Sequence, residues 1–257
     1  ILKMKKVAIC ISGYLRKYKL GYKNIVENLI EPNSESFSFD FFIDTWDQDD
    51  WRNESKFKRG PNFIPQDLQE TVKEDIVNTF NPTEIVFEKP IKWDMTEHLP
   101  YIKEDWVTRT SKGSHVIAMN YKIFKCNQLK KQKETSEKYD LVFRYRSDFF
   151  LEEPLLLNNY LETCNDTIVT PGTFGKEVDA PNGNFGVHDW WAFSSSKNMD
   201  YYSSLFSIFG ETLKKCKVIR PETLLYYHLK YNDKIKHVGI NSRSFLDSDS
   251  GGKKYSR

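Results

Sequence analysis

Short apolar runs alternate with segments of helical periodicity, and this order most limits how the chain can fold. Each run is rich in β-branched and aromatic residues and has the length of a buried strand. The segments between them repeat apolar residues at about every fourth position, as Leu68, Val72, Ile76 and Phe80 do. The strand-like runs are 5–12, 37–44, 83–89 and 140–145, and the helical segments are 22–30, 65–80 and 114–139.

This order predicts an α/β protein whose doubly wound, mostly parallel sheet is flanked by helices. A chain of 257 residues can bury one full core, so we expect a single domain. The expected domain covers 1–246, and 247–257 is predicted to be a polar C-terminal tail.

The charge balance argues against a nucleic-acid partner. The chain has 38 Lys and Arg against 36 Asp and Glu, a formal net charge of only +2. Two basic runs, 130–133 and 214–217, are typical of solvated helix faces and would support at most weak peripheral contact with an anionic membrane.

The cysteines indicate a reducing environment. The four cysteines lie far apart, without a Cys-x-x-Cys pair, which disfavours structural zinc. Cys10 and Cys126 fall within apolar runs and are predicted to be buried thiols. No apolar stretch has the length of a transmembrane segment and none resembles a signal peptide, so a cytoplasmic location is expected.

Polar residues gather where three of the predicted strands end. In open α/β sheets, ligands bind outside the carboxyl ends of the strands. There the chain carries "SGYLRK" at 12–17, "DTWDQDD" at 44–50 and "RYRSD" at 144–148. Arginine forks suit phosphate oxygens, and a serine and a glycine let the backbone come close to a ligand. The residues predicted to bind a phosphorylated ligand are Ser12, Gly13, Arg16, Asp44, Arg146 and Asp148.

Purely structural roles are also open for these residues. Arg144 and Asp148 are suitably spaced for an ion pair at a strand end, and the acidic run 44–50 has the composition of a solvated turn. The sequence has neither G-x-x-x-x-G-K-[ST] nor, at its first strand, G-x-G-x-x-G, which disfavours nucleotide-hydrolysing and dinucleotide-binding proteins.

Several stretches together resemble nucleotide-sugar-dependent glycosyltransferases of GT-A type, of the kind found in bacterial polysaccharide loci and in some large viruses. The resemblance covers most of 5–240 in order. Its stretches are "VAICISGYLR", "FDFFIDTW", "AMNYKIFKCNQLK", "YDLVFRYRSDFFLEEPL", "HDWWAFSSSKNMDYYSSL" and "RPETLLYYHL". The resemblance implies a donor-binding half at about 5–150 and an acceptor-side half at about 151–246.

The resemblance implies a divalent metal site, but one of its two expected aspartates is missing here. GT-A enzymes generally carry an Asp-x-Asp that binds a divalent metal and the donor diphosphate, and the matching residues here are Arg146, Ser147 and Asp148. Only the second aspartate is present. Asp148 would be the metal ligand for Mn²⁺ or Mg²⁺, with His228 or His237 as an additional ligand. Alternatively, Arg146 itself neutralises the diphosphate, and a lone helical histidine is more often a packed residue than a ligand.

The acceptor side is predicted from the Gly- and Asn-rich segment 170–196. Asp189 is the candidate base for the acceptor hydroxyl, and His188, Trp190 and Trp191 are candidate acceptor contacts, because flat rings pack on sugar C–H faces. The alternative is that Asp189 caps the following segment while the tryptophans belong to the core.

The function expected from these residues and the resemblance is transfer of a hexosyl or pentosyl group from a nucleoside diphosphate sugar to a carbohydrate or glycolipid acceptor, with inversion, in surface polysaccharide or glycan synthesis. A non-catalytic nucleotide-sugar or carbohydrate-binding module that has lost the first aspartate is the alternative. A methyltransferase is disfavoured because the first turn is not glycine-rich.

Overall fold

The structure of the protein is a computed structural model that describes residues 3–48, 66–103, 113–135, 137–232, 235–240 and 244–246. The predicted tail and the last two residues of the acidic run 44–50 lie outside the described residues. The strands are β1 (Lys5–Gly13), β2 (Phe37–Trp46), β3 (Glu84–Glu88), β4 (Leu141–Tyr145), β5 (Phe149–Leu151), β6 (Thr167–Thr170), β7 (Thr173–Phe174), β8 (Gly186–Val187), β9 (Trp191–Ser194), β10 (Lys236–Gly239) and β11 (Ser244–Leu246). The α-helices are α1 (Tyr18–Ile25), α2 (Glu70–Phe80), α3 (Gly113–Lys133), α4 (Ser196–Ser203), α5 (Phe209–Cys216) and α6 (Pro221–Lys230).

A mixed sheet organises the described part of the chain, with seven strands in the order β10-β6-β9-β4-β1-β2-β3. Strands β4, β1, β2 and β3 are parallel neighbours, and β10 is parallel to β6. Strand β9 runs antiparallel to both β4 and β6. The predicted fold class, a mostly parallel sheet flanked by helices, is confirmed; the reversed β9 is a feature that the alternation at the start of the chain did not predict.

Both faces of the central strands are buried, which explains why β1 reads as a continuous apolar run. Val7, Ile9 and Ile11 belong to one core cluster, and Ala8 and Cys10 belong to the other. Helix α3 covers the second face, where the Cys126 thiol donates to the carbonyl oxygens of Ile11 and Phe42 at 3.4 and 3.3 Å. Burial raises the pKa of this thiol well above its usual value.

Several elements differ from their predicted bounds. The first helical segment begins at Tyr18 and continues as a π-helical turn (Val26–Ile30) and a 3₁₀ turn (Glu31–Asn33) that contains Pro32. The long helix α3 ends at Lys133, six residues before the predicted end at 139. Within the Gly- and Asn-rich segment 170–196, β7 and β8 pair antiparallel before the chain enters β9.

Close packing of α1 sets the position of the turn that follows β4. A Cβ atom at Gly21 would overlap the carbonyl oxygen of Ser147, so only glycine lets this helix approach the turn. The Ser147 hydroxyl donates to the carbonyl oxygen of Tyr14 at 3.3 Å. In the described residues, no helix combines the length and apolar character needed to cross a membrane.

Candidate functional site

The carboxyl ends of β1, β2 and β4 meet at one edge of the sheet. In the register, Ile11 lies opposite Tyr145, and Ser12 opposite Asp44. Gly13 has φ +91°, a left-handed conformation that favours glycine, and it turns the chain toward α1. Ser12 and Arg16 are half-buried beside this turn, so the first predicted phosphate-binding segment lies at the carboxyl end of β1.

Arg16, Arg146 and Asp148 form a compact charged cluster at this edge. Arg146 donates from Nε and Nη2 to the two carboxylate oxygens of Asp148, both at 3.0 Å. Arg16 donates from Nη1 to Oδ2 of Asp148 at 3.1 Å. The three side chains are between 15% and 20% exposed, so the cluster is mostly but not completely withdrawn from water.

A tight turn, rather than strand alternation, brings Arg146 and Asp148 together. Strand β4 ends at Tyr145, and the amide of Phe149 donates to the carbonyl oxygen of Arg146 at 3.1 Å. The turn thus places Asp148 against the guanidinium two residues earlier. The cluster unites one residue from the β1–α1 loop with two residues from the turn after β4.

The surroundings favour the charged forms of Asp148 and Arg146. Burial disfavours the carboxylate of Asp148, but the guanidinium groups of Arg146 and Arg16 outweigh it and hold the pKa well below its usual range. Burial likewise disfavours the charge of Arg146, but Asp148 and Asp189 raise the pKa of Arg146 above its usual value. Two guanidinium groups, whose paired N–H donors suit phosphate oxygens, thus lie together at this edge of the sheet.

Asp189 reaches the same cluster from the segment between β8 and β9. Its Oδ1 lies 3.8 Å from Nη1 of Arg146, and its side chain is 7% exposed. Arg144, on β4, donates from Nη1 to the backbone carbonyl oxygen of Asp189. The two arginines of "RYRSD" therefore have different partners, and the Arg144–Asp148 ion pair considered from the sequence is not the pairing found.

The predicted acceptor aromatics separate into two groups. Trp190 and His188 are half-buried and stacked with ring centroids 4.1 Å apart, beside Asp189. Trp191 is fully buried between Phe143 and Phe193 in the core. The prediction that Trp191 contacts an acceptor is therefore corrected, because its position on β9 directs the ring into the sheet's hydrophobic layer.

Asp44, predicted to bind the phosphorylated ligand, is buried beneath α3 instead. The side chain is 0% exposed and accepts a hydrogen bond from Lys122 of α3, which also donates to Glu88 at 2.8 Å. The Lys122 ammonium lies 4.1 Å from the ring centroid of Trp46. Burial raises the pKa of Asp44, against the opposing effect of Lys122. Asp44 is part of a buried ion pair under α3 and has no exposed surface at the crevice.

The two histidines proposed as metal ligands are not brought to Asp148. His228 on α6 is 1% exposed, stacked on Tyr201, with Nε2 2.8 Å from the Tyr201 carbonyl oxygen. His237 lies on β10, at the far edge of the sheet, with Nε2 2.7 Å from Oγ1 of Thr170. In the part of the chain that the structure describes, no group of three His, Cys, Asp or Glu side chains could hold a metal ion.

One acidic residue at the site was not assigned a functional role from the sequence. Glu222, in the first turn of α6, has a raised pKa because of burial and then because of the negative charge of Asp189. Arg220 donates from Nε to Glu222 at 3.3 Å. From the sequence, Glu222 matched the preference of acidic residues for a helix N-terminus, so its proximity to Asp189 was not visible.

Comparison with solved structures places this arrangement in a known fold. Core-mannan synthase A from Aspergillus fumigatus, solved in a Mn/GDP form, superposes with a TM-score of 0.53 and 11% identity, covering 100% of this chain and 79% of that one. The mannosyltransferase Ktr4p from S. cerevisiae gives a TM-score of 0.49 and 9% identity, covering 95% of this chain and 71% of that one. No family model matches the sequence, and no curated protein matches it. The chain has a GT-A-like fold.

Proposed function

We propose that the protein is a glycosyltransferase that moves a hexosyl or pentosyl group from a nucleoside diphosphate sugar to a carbohydrate or glycolipid acceptor, in surface polysaccharide or glycan synthesis. The observation that carries the proposal is the cluster of Arg16, Arg146 and Asp148 at the carboxyl ends of β1 and β4. Open α/β sheets bind ligands at that edge. The fold shared with a synthase solved with GDP supports the same ligand class.

The arginines are proposed to bind the diphosphate. A guanidinium is planar and presents paired donors that fit phosphate oxygens, and both arginines are oriented in advance by Asp148. Ser12 and Gly13 would contact the donor through the turn after β1. As the bond to the anomeric carbon breaks, negative charge grows on the leaving diphosphate, and fixed cations stabilise it without reorganisation.

Asp189 is proposed to act on the acceptor. Arg144 fixes its backbone, and its carboxylate faces the same cluster as Arg146. A carboxylate in this position can take the proton of the acceptor hydroxyl while the hydroxyl oxygen attacks the anomeric carbon. We propose inversion, because a single displacement needs one proton acceptor and one cationic face, which this cluster offers. Trp190 and His188, stacked beside Asp189, would contact the acceptor.

A divalent metal does not fit the described residues well. Both carboxylate oxygens of Asp148 already accept hydrogen bonds from guanidinium groups. The two histidines predicted as additional metal ligands lie on other elements, His228 on α6 and His237 on β10. Mn²⁺ or Mg²⁺ would have to displace an arginine to bind Asp148. The roles proposed above therefore belong to protein side chains alone, and no step is assigned to a metal.

A panel of GDP-, UDP- and dTDP-sugars tests the function. We expect one base class to raise the melting temperature, because a ligand that binds only the folded state stabilises it. We also expect release of the nucleoside diphosphate from that donor. Stabilisation without any release, with or without added saccharides, would favour the non-catalytic binding module, and stabilisation by no nucleotide would contradict the proposal.

A further inference from the structure

We infer that a groove beside α6 binds the acceptor at the sugar units behind the one whose hydroxyl is glycosylated. The groove is the surface concavity between α6 and the 3₁₀ segment Glu177–Asn182. This inference rests on the proposed function and narrows it, because the acceptor then is an oligosaccharide, or the saccharide chain of a glycolipid, rather than a single sugar.

The groove has the size and the chemistry of a saccharide site. Its volume is about 420 Å³, within the range of about 300–1,000 Å³ that is usual for ligand pockets. Among the residues that line it are Glu177, Val178, Tyr226, Tyr227 and Lys230. Val178 is 79% exposed, an apolar side chain that a bound ligand would cover. Saccharides need this mixture, because their C–H faces pack on rings and their hydroxyl groups bond with polar groups.

Two tyrosine rings are held in fixed positions at the groove. Tyr226 and Tyr227 are half-buried and lie edge to face, with ring centroids 5.3 Å apart. Tyr226 also packs edge to face on Phe185 at 4.8 Å, and Tyr227 stacks on Tyr231 at 6.0 Å. Rings that are already fixed lose little conformational freedom when a ligand packs on them, so they suit the binding of a flexible sugar chain.

An exposed ion pair supplies donors and acceptors for hydroxyl groups. Lys230 donates from Nζ to Oε1 of Glu177 at 2.7 Å, and the Tyr226 hydroxyl donates to the same oxygen. The side chains of Glu177 and Lys230 are 61% and 51% exposed, so both can also bond with a ligand. The two charges balance each other, which suits a neutral saccharide better than an anionic membrane surface.

The groove continues toward the proposed acceptor side of the site. Arg220, the residue before α6, donates to the carbonyl oxygen of Gly183, at the end of the 3₁₀ segment, at 2.6 Å. The Arg220 guanidinium lies 4.5 Å from the ring centroid of Phe174, and that ring lies 5.5 Å from the ring of His188. A row of contacts therefore connects the two sides of the groove to the ring that precedes Asp189.

The distance from the groove to Asp189 suits an acceptor of a few sugar units. Asp189 follows Phe185, the residue that packs on Tyr226, by four positions, so their Cα atoms are at most about 14 Å apart. A Cβ atom at Gly186 would lie 2.6 Å from the backbone carbonyl carbon of Glu222, so the first turn of α6 is in close contact with β8. This contact fixes the groove relative to the segment that carries Asp189.

The length of the acceptor tests the inference. An array of defined glycans, supplied with the donor that the wild-type protein uses, identifies acceptors, and a trisaccharide is then compared with the monosaccharide of the same terminal sugar. Since one aromatic contact changes affinity by about two- to tenfold, we expect the wild-type protein to prefer the trisaccharide by about tenfold or more in kcat/KM. Tyr227→Ala should lower that preference by about three- to tenfold through the KM of the trisaccharide, because a contact far from the reacting atoms binds ground state and transition state alike.

A second variant and its control separate binding from folding. Lys230→Ala removes an exposed side chain of the groove and should lower the preference by about threefold or more, because hydrogen bonds to charged groups are among the stronger ones. Lys236→Ala is the matched control, since Lys236 forms a similar exposed ion pair with Asp166 at 2.8 Å. It should keep the preference of the wild-type protein.

Three results would overturn the inference while leaving glycosyl transfer standing. They are equal kcat/KM values for the monosaccharide and the trisaccharide, a preference that survives both Tyr227→Ala and Lys230→Ala, and nucleoside diphosphate release without transfer to any glycan of the array. A wild-type protein that releases no nucleoside diphosphate from any donor would instead overturn the proposed function, and the acceptor role of the groove with it.

Discussion

Replacing Asp148 with Asn should destabilise the protein while preserving its capacity to bind a nucleoside diphosphate. The substitution keeps the shape of the side chain but removes the negative charge that Arg16 and Arg146 share. Three charge-assisted hydrogen bonds of 3.0, 3.0 and 3.1 Å depend on that charge. The two guanidinium groups would then repel each other in a site where all three side chains are at most 20% exposed.

The expected cost is about 3 kcal/mol. Removing one partner of a buried ion pair typically costs about 3–5 kcal/mol, and partial exposure places this cluster at the lower end. Urea unfolding would measure it: with a slope of about 3 kcal/mol/M, the midpoint should fall by about 1 M. Asp166→Asn is the matched control, since Asp166 forms an exposed ion pair with Lys236 and should change stability by less than about 1 kcal/mol.

Nucleotide binding by the same variant distinguishes an arginine site from a metal site. If Asp148 serves to orient and balance the arginines, GDP supplies the missing negative charge and should raise the melting temperature of Asp148→Asn at least as much as that of the wild-type protein. A loss of stability below about 1 kcal/mol would refute the stated energetics of the cluster. The opposite result would be that the wild-type protein binds GDP only when Mn²⁺ is present and that Asp148→Asn does not bind GDP at all. That result would show that Asp148 is a metal ligand.

Two further predictions concern the arginine and the buried histidine. Arg146→Ala should lower kcat by about 10²–10³-fold, because it removes a preorganised positive charge that stabilises the leaving diphosphate. The wild-type enzyme should remain active in EDTA. Inactivation by EDTA that Mn²⁺ or Mg²⁺ reverses would contradict this prediction. Burial lowers the pKa of His228 to about 4 from 6.5, so the folded state resists protonation and stability should fall by up to about 3 kcal/mol between pH 6.5 and 4. His228→Gln should remove that part of the acid sensitivity, measured by urea unfolding across this range, whereas the exposed His115→Gln should keep it.

The sequence predicted the features that local pattern determines. The parallel order of β1, β2, β3 and β4 follows from strand-like runs that alternate with helical segments, and the polar residues after those runs lie at the carboxyl ends of the strands. The structure brings into contact Arg16, Arg146 and Asp148, three of the residues predicted to bind a phosphorylated ligand. Their contact depends on the turn after Tyr145, which an ideal strand pattern does not contain.

Features that depend on packing between distant elements could not be predicted from the local sequence pattern. Lys122 has the appearance of a surface helix residue, yet α3 lies so close to β2 that its ammonium becomes the partner of Asp44. Trp191 stands beside Trp190 in sequence, but the antiparallel β9 places Trp191 in the core and leaves Trp190 at the site. Glu222 lies beside Gly186 only because α6 packs against β8. The cytoplasmic location and the domain limits stay predictions.

The central claim is that Arg16 and Arg146 bind the diphosphate of a sugar nucleotide at the carboxyl ends of β1 and β4. A crystal structure of the protein with bound GDP, or with whichever nucleoside diphosphate stabilises it most, tests this directly. The account predicts diphosphate oxygens within about 3 Å of both guanidinium groups, the spacing of charge-assisted hydrogen bonds, with the nucleoside beside the turn at Ser12 and Gly13. A nucleotide bound elsewhere, out of reach of both arginines, would contradict it.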